Sequence, residues 1–179
     1  LWHSIEPRAS LNYSFNEHIS VKGSYSEMSQ PTHLVATTYL DLPTNCWLPS
    51  TATIPPSRSK EVAAGIYTKI PGGVTLNVEG WFKKMDNLIE YFGVNAIFPP
   101  LTGWDQSYVM GKGRSWGMEN ELSYKGDKIE TAAYYTLMWN QRKFDDFYKD
   151  WFRDRNDNRH KLTLMFKYKI TKRFEVYSA

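Results

Sequence analysis

Between Arg114 and Trp139 the chain alternates with a period of two on either side of a short break at Lys125-Gly126-Asp127-Lys128. On the first arm Trp116, Met118, Leu122 and Tyr124 share a face, interrupted by Asn120, while Gly117, Glu119, Glu121 and Ser123 occupy the other. On the second arm Ile129, Ala133, Tyr135, Leu137 and Trp139 fall together, with Thr131 among them. Period two is the periodicity of a strand, and Gly-Asp supplies turn chemistry, so the stretch predicts a β-hairpin. Each arm runs to about ten residues or more, long for a globular strand and suited to a tilted strand crossing a bilayer.

The same unit recurs along the chain. Strands are predicted from Ile5 to Phe15, His18 to Met28, Lys60 to Ile70 and Val74 to Tyr91, the last with an irregularity near Lys84. Two more follow from Arg159 to Ile170 and from Phe174 onward. The connections alternate strictly. Short turns stand at Asn16-Glu17-His18, Pro71-Gly72-Gly73, Gly126-Asp127 and Thr171-Lys172, and long segments at about 29–57, 92–113 and 142–158. A soluble sandwich has no reason for such asymmetry. A transmembrane barrel has one, because short periplasmic turns and long extracellular loops sit at opposite ends. The polar faces carry Lys22, Glu61, Glu79, Lys83, Glu119, Glu121, Lys167 and Lys169, which suits a wet lumen, and the apolar faces end in aromatics, which suits interfacial girdles. The fold class expected is all-β, an antiparallel up-and-down transmembrane barrel of which about eight strands are present.

Composition agrees. At 179 residues one domain with a real core is within reach. A net charge of +3, with Lys and Arg dispersed, gives no basic stripe for nucleic acid. No run of 18 apolar residues exists, which excludes a transmembrane helix but not a barrel. Cys46 is alone, so neither an internal disulfide nor a cysteine metal site is available. His3, His18, His33 and His160 have no ligand spacing and are expected at the surface or in a girdle, and the aspartates at 145, 146, 154 and 157 match no calcium loop. No nucleophile motif or phosphate loop appears, so no catalytic residue, metal or cofactor is expected. The Glu119–Glu121 pair is expected to join an ion-pair network with Lys83, Lys167 and Lys169. Both ends fall in mid-pattern, so residues 1–179 are expected to be a partial barrel domain, without a leader, plug or closing strand.

The runs PRASLNYSF, VKGSYSEMSQ, PSRSKEVAAGIY, VEGWFKKMDNLIEY, GKGRSWGMENELSYKG, YTLMWNQRKFDD and NRHKLTLMFKYKI, in that order and spacing, resemble the C-terminal part of the barrel of TonB-dependent outer-membrane receptors of the Bacteroidetes type. The resemblance implies a bacterial outer-membrane location and a 22-stranded barrel completed by other strands and an N-terminal plug. It implies import of a scarce nutrient (siderophore, glycan, cobalamin or peptide) powered by the TonB complex through the plug, in contact with outer-membrane lipid. A surface lipoprotein is left open as a further partner. The alternative is a complete small eight-stranded barrel serving as anchor or adhesin. An outer-membrane enzyme would need a catalytic constellation that is not found.

In such receptors the ligand meets the extracellular loops. The candidates are Tyr39 and Trp47 in the first long connection, Trp104 and Tyr108 in the second, and Tyr148, Trp151, Arg153 and Arg155 in the third. Aromatic faces stack on sugar or chelate rings, and arginine clamps carboxylate or phosphate. The plainer reading is that these side chains pack the loops against one another.

Overall fold

A computed structural model describes residues 2–35, 46–91, 108–146, 148–171 and 173–179. Its strands are β1 (Arg8–Ser14), β2 (Ile19–Gln30), β3 (Thr32–Val35), β4 (Cys46–Pro49), β5 (Ser57–Ile70), β6 (Val74–Tyr91), β7 (Tyr108–Lys125), β8 (Ile129–Phe144), β9 (Tyr148–Arg153), β10 (His160–Thr171) and β11 (Phe174–Ser178). Among the described residues no helix is long and apolar enough to cross a membrane. Eight strands pair in the order β1-β2-β5-β6-β7-β8-β10-β11, with β9 added to β8 and β3–β4 forming a separate hairpin. The pairings are antiparallel, so the chain is an all-β up-and-down meander. β1 and β11 are its two edges.

The register turns the sequence periodicity into a surface. Tyr25, Val62, Phe82, Trp116 and Trp139 lie side by side across five strands, and the Trp116 and Trp139 rings stack 5.8 Å apart. Below them run Gly23, Ala64, Gly80, Met118 and Leu137, then Val21, Ile66, Val78, Asn120 and Tyr135. The apolar band ends at Ile70, Val74, Tyr124, Thr131 and Phe166. From Trp116 to Tyr124 it spans about 27 Å along the strand, or about 20 Å along the normal at the usual tilt, which is membrane height. Its side chains are open to the surroundings: Leu122 is 53% exposed and Leu164 59%. A continuous apolar face of this size requires a partner or lipid. The opposite face is polar, with Glu79, Glu119 and Thr136 in one row and Tyr67 reaching Glu79 from the next.

The short turns have local causes. The Asn16 side-chain oxygen accepts from the amides of His18 and Ile19, both at 2.8 Å. Gly73 has φ +86°, and a Cβ there would stand 2.3 Å from the Lys125 carbonyl oxygen of the neighbouring strand, so only glycine fits. Thr171 Oγ1 accepts from the amides of Arg173 and Phe174.

Several boundaries differ from those expected. The first long connection is not structureless: β2 runs on to Gln30, β3 and β4 form a hairpin, and β5 already begins at Ser57. The second is shorter, because β7 starts at Tyr108 rather than after Gly113. The third is partly strand, since β8 continues to Phe144 and β9 folds back onto it. The irregularity in β6 is at Asn87, not Lys84: the pairing slips between Asp86 and Leu88, and Asn87 adopts φ 58°. Asparagine tolerates this left-handed conformation, and the carbonyl of Pro56 accepts from its Nδ2 at 3.0 Å.

Candidate functional site

At the end of the sheet that carries the long connections, β3–β4 and the β8–β9 hairpin converge on the polar face. Between them lies a cavity of about 310 Å³, lined among others by His33, Trp47, Glu90, Tyr108, Arg142 and Arg155. Alternation after the Asn87 bulge turns Leu88 and Glu90 toward this face, and Arg142 reaches it from β8.

Arg142 is the hinge of the charge arrangement. Its guanidinium Nε is ion-paired with the Asp154 carboxylate, whose side chain is only 1% exposed, and its other arm donates to Glu90 at 3.4 Å. Asp154 is held further: its amide donates to the Asn140 carbonyl at 2.9 Å, and its Oδ1 accepts from the Asn156 amide at 2.7 Å. The residues just after β9 close a second knot. The buried Asp157 carboxylate receives Arg159 at 2.9 Å and Arg153 at 3.0 Å. The Arg159 hydrogen bond, with the Arg153 charge behind it, holds the Asp157 carboxyl below the usual carboxylate range. Beneath this, Phe144 is fully buried and stacks on Phe152 at 6.2 Å.

The β3–β4 side is apolar at its base. Ile54 and Tyr108 are buried together, with Leu48 and Ile89 packed against them. His33, expected at the surface, is instead 4% exposed, its Nε2 3.1 Å from Ser50 Oγ and its Nδ1 3.4 Å from Ser57 Oγ. Burial pushes its pKa below the ordinary histidine value. The unfolded hairpin therefore binds a proton more readily than the folded one. His33's contribution is complete above about pH 6.5 and erodes as pH falls from there toward the lower folded value. In the whole receptor, residues 31–56 are expected to become more protease-sensitive at pH 5.5 than at pH 7.5, with His33→Gln abolishing the difference. An unchanged cleavage rate in the native protein would refute this.

The eight candidates separate into three groups. Trp47, Tyr108 and Arg155 line the cavity. Trp47 stands 60% exposed on β4, whereas Tyr108 is a buried strand residue and not a loop residue as expected. Trp151 and Arg153 are committed elsewhere. The Arg114 guanidinium sits 4.3 Å over the Trp151 ring, and Arg153 is tied to Asp157. Tyr39, Trp104 and the side chain of Tyr148 lie outside the described residues. Sequence reasoning missed His33, Glu90, Arg142 and Asp154. Arg142 carried a signal, being a charge on the polar side of a strand running past the aromatic row; Glu90 carried none, because alternation alone puts it on the apolar side and only the slip at Asn87 turns it inward.

Lower on the polar face the expected network is corrected. Lys83 pairs with Glu61, Lys167 with Glu175 and Lys169 with Glu130, each a carboxylate on an adjoining strand. None reaches Glu119 or Glu121. Glu121 accepts from Asn77 Nδ2 at 2.9 Å, the Tyr67 hydroxyl donates to Glu79, and Glu79 stands opposite Glu119 in the register. Three carboxylates thus share a patch without a lysine or arginine ion pair among the described residues.

A family model described as "TonB dependent receptor-like, beta-barrel" matches residues 2–176. No curated protein and no solved structure matches the chain. The matched family is an outer-membrane family of Gram-negative bacteria and of transport type. With antiparallel strands, a membrane-height apolar band and connections alternating between short and long, the chain belongs to the TonB-dependent receptor-like β-barrel family.

Proposed function

We propose that residues 1–179 supply about eight strands of a larger receptor barrel, of 22 strands by the family pattern. This receptor captures a scarce nutrient at its extracellular end and passes it inward. The observation that carries the reading is the cavity beneath the long connections, lined by Trp47, Tyr108 and Arg155 together with Arg142 and the carboxylates of Glu90 and Asp154 that pair with it. Such a site suits a ligand with a ring system and an anionic group, as siderophores, acidic glycans, corrinoids and peptides offer. By sequence Tyr39, Trp104 and Tyr148 are further candidate ligand contacts, whereas Trp151 and Arg153 are engaged by Arg114 and Asp157. The small-barrel alternative is disfavoured, because the eight strands form an open sheet in which, among the described residues, β1 and β11 are unpaired edges. Open edges are costly in lipid and are removed when further strands close the barrel.

The carboxylates Glu79, Glu119 and Glu121 give the lumen wall a patch that favours cations. Cationic side chains of a plug domain are the natural complement, and the plug is also the route to the TonB complex.

The test is nutrient-limited growth of a receptor-deletion strain complemented with the full-length receptor. Ferric chelate, corrinoid, acidic oligosaccharide and peptide are supplied in turn. Trp47→Ala with Arg155→Gln is expected to raise the nutrient concentration needed for half-maximal growth by about tenfold or more, with normal barrel assembly. Unimpaired growth on the nutrient that the native receptor imports would sink the assignment of this cavity.

A further inference from the structure

We infer that Glu90 is a built-in stand-in for the ligand's anionic group: its carboxylate occupies the second arm of Arg142 and yields that arm only to an anion carried on a ring. The inference rests on the reading of the cavity as a site for a ring with an anionic group.

Arg142 holds its two carboxylates very differently. Asp154 is locked. Its side chain is 1% exposed, Oδ2 takes the Arg142 Nε, and Oδ1 accepts from the Asn156 amide. Glu90 is loose. Its side chain is 29% exposed, its Oε2 lies 3.4 Å from Arg142 Nη1, and among the described residues it makes no further hydrogen bond. Charge-assisted N–H···O bonds usually close to about 2.7–2.9 Å, so this contact is slack. Asp154 alone neutralises Arg142, so a merely structural pair has no use for a second carboxylate. Yet the backbone departs from regular strand to place one there. Simple alternation would send Glu90 to the outward face, and the surplus residue at Asn87, held at φ 58°, turns it into the cavity. Bulges re-aim side chains beside functional sites.

The charge balance shows what this placement does. The cavity is lined by two guanidinium groups, Arg142 and Arg155, and by two carboxylates, Glu90 and Asp154. His33, buried between Ser50 and Ser57, adds no charge near neutral pH. Arg155 is within electrostatic reach of Glu90 as well. An entering anion therefore meets a balanced site and competes with a carboxylate tethered beside the cation. A small free anion loses that competition, because the tethered group has a high effective concentration. A ligand that also lays a ring on Trp47, which is 60% exposed at the same cavity, has the further attraction needed to displace Glu90. Glu90 thereby keeps Arg142 from being filled by the small anions of the medium, and the site responds to ring and charge together.

The full-length receptor, purified from outer membranes in mild detergent at pH 7.5, is titrated by ligand-observed NMR with three probes. Indole-3-acetate carries ring and carboxylate, indole-3-acetamide the same ring without the charge, and acetate the charge without the ring. Glu90→Gln keeps the size of the side chain and removes its charge. It is expected to bind indole-3-acetate about tenfold more tightly, as when a competing state occupied about nine-tenths of the time is removed. Its affinity for indole-3-acetamide stays within about twofold of the native value. Acetate, ineffective against the native receptor, now displaces indole-3-acetate. Hydrogen exchange of the Tyr148–Arg153 amides stays as in the native protein, because Asp154 still holds Arg142. Unchanged or weaker binding of indole-3-acetate by E90Q, equal tightening for the amide, displacement by acetate from the native receptor, or faster exchange in β9 would each overturn the role of Glu90 and leave the reading of the cavity standing. Failure of indole-3-acetate to bind either protein would instead remove that reading, and this inference with it.

Discussion

Asp154→Ala is expected to detach the β8–β9 hairpin from the barrel end. The Asp154 side chain is 1% exposed and takes the Arg142 guanidinium, so its removal leaves a half-buried cation facing Glu90 alone. Breaking one side of a buried ion pair costs about 3 kcal/mol or more. The same substitution removes the acceptor of the Asn156 amide, which shapes the turn after β9. A loss of about 3 kcal/mol in local stability is about a hundredfold in the opening equilibrium. Hydrogen exchange of the Tyr148–Arg153 amides in the full receptor should accelerate by about that factor while β5–β7 amides stay protected. Unaltered exchange in β9 would show that the hairpin is held by something other than this pair. Since Arg142 and Arg155 line the cavity, ligand uptake should fall together with protection.

The second large effect is expected at Phe144, which sits against a glycine. A Cβ on Gly111 would lie 2.4 Å from the Phe144 ring, so the two positions divide one volume between them. Phe144→Ala is expected to cost about 3 kcal/mol by cavity formation, and Gly111→Ala about as much, because its Cβ would meet both the ring and, at 2.6 Å, the Lys143 carbonyl oxygen. The double variant should be more stable than the sum of the two losses predicts, because the added methyl partly fills the space the ring vacates. Urea or thermal midpoints of the four proteins give the coupling directly. Strict additivity would mean that the two sites do not share this space.

The parts of the fold legible in the sequence were those set by neighbouring residues. Period-two alternation assigned Trp116, Met118, Leu122 and Tyr124 to one face, and the register confirms each. Turn chemistry at Asn16 and Thr171 acts within a few residues of itself. What escaped depends on contacts distant in sequence. Nothing local says that Tyr148–Arg153 folds back onto β8, because that pairing is fixed by Asp154 reaching Arg142 and by Asp157 gathering two arginines. Nor does alternation say which lysine takes which carboxylate. Glu119 and Glu121 were correctly placed as neighbours on one face, yet the lysines assigned to them found Glu61, Glu175 and Glu130 first. The candidate loop aromatics divided for the same reason, Trp47 and Tyr108 lining the cavity while Trp151 was taken up by Arg114.

The slip at Asn87 gives one strand two independent phases. From Val74 to Asp86 the even-numbered residues of β6 point outward, and from Leu88 onward the odd-numbered ones do. Had the pairing run on without a surplus residue on β6, Glu90 would stand opposite Tyr108 and face the headgroups, and Arg142 would lose its contact with it. The extra residue works like a leap day inserted into a calendar. It lets the lower part of the strand keep time with the hydrocarbon and the upper part keep time with the cavity, so that each can change its sequence without putting the other out of step.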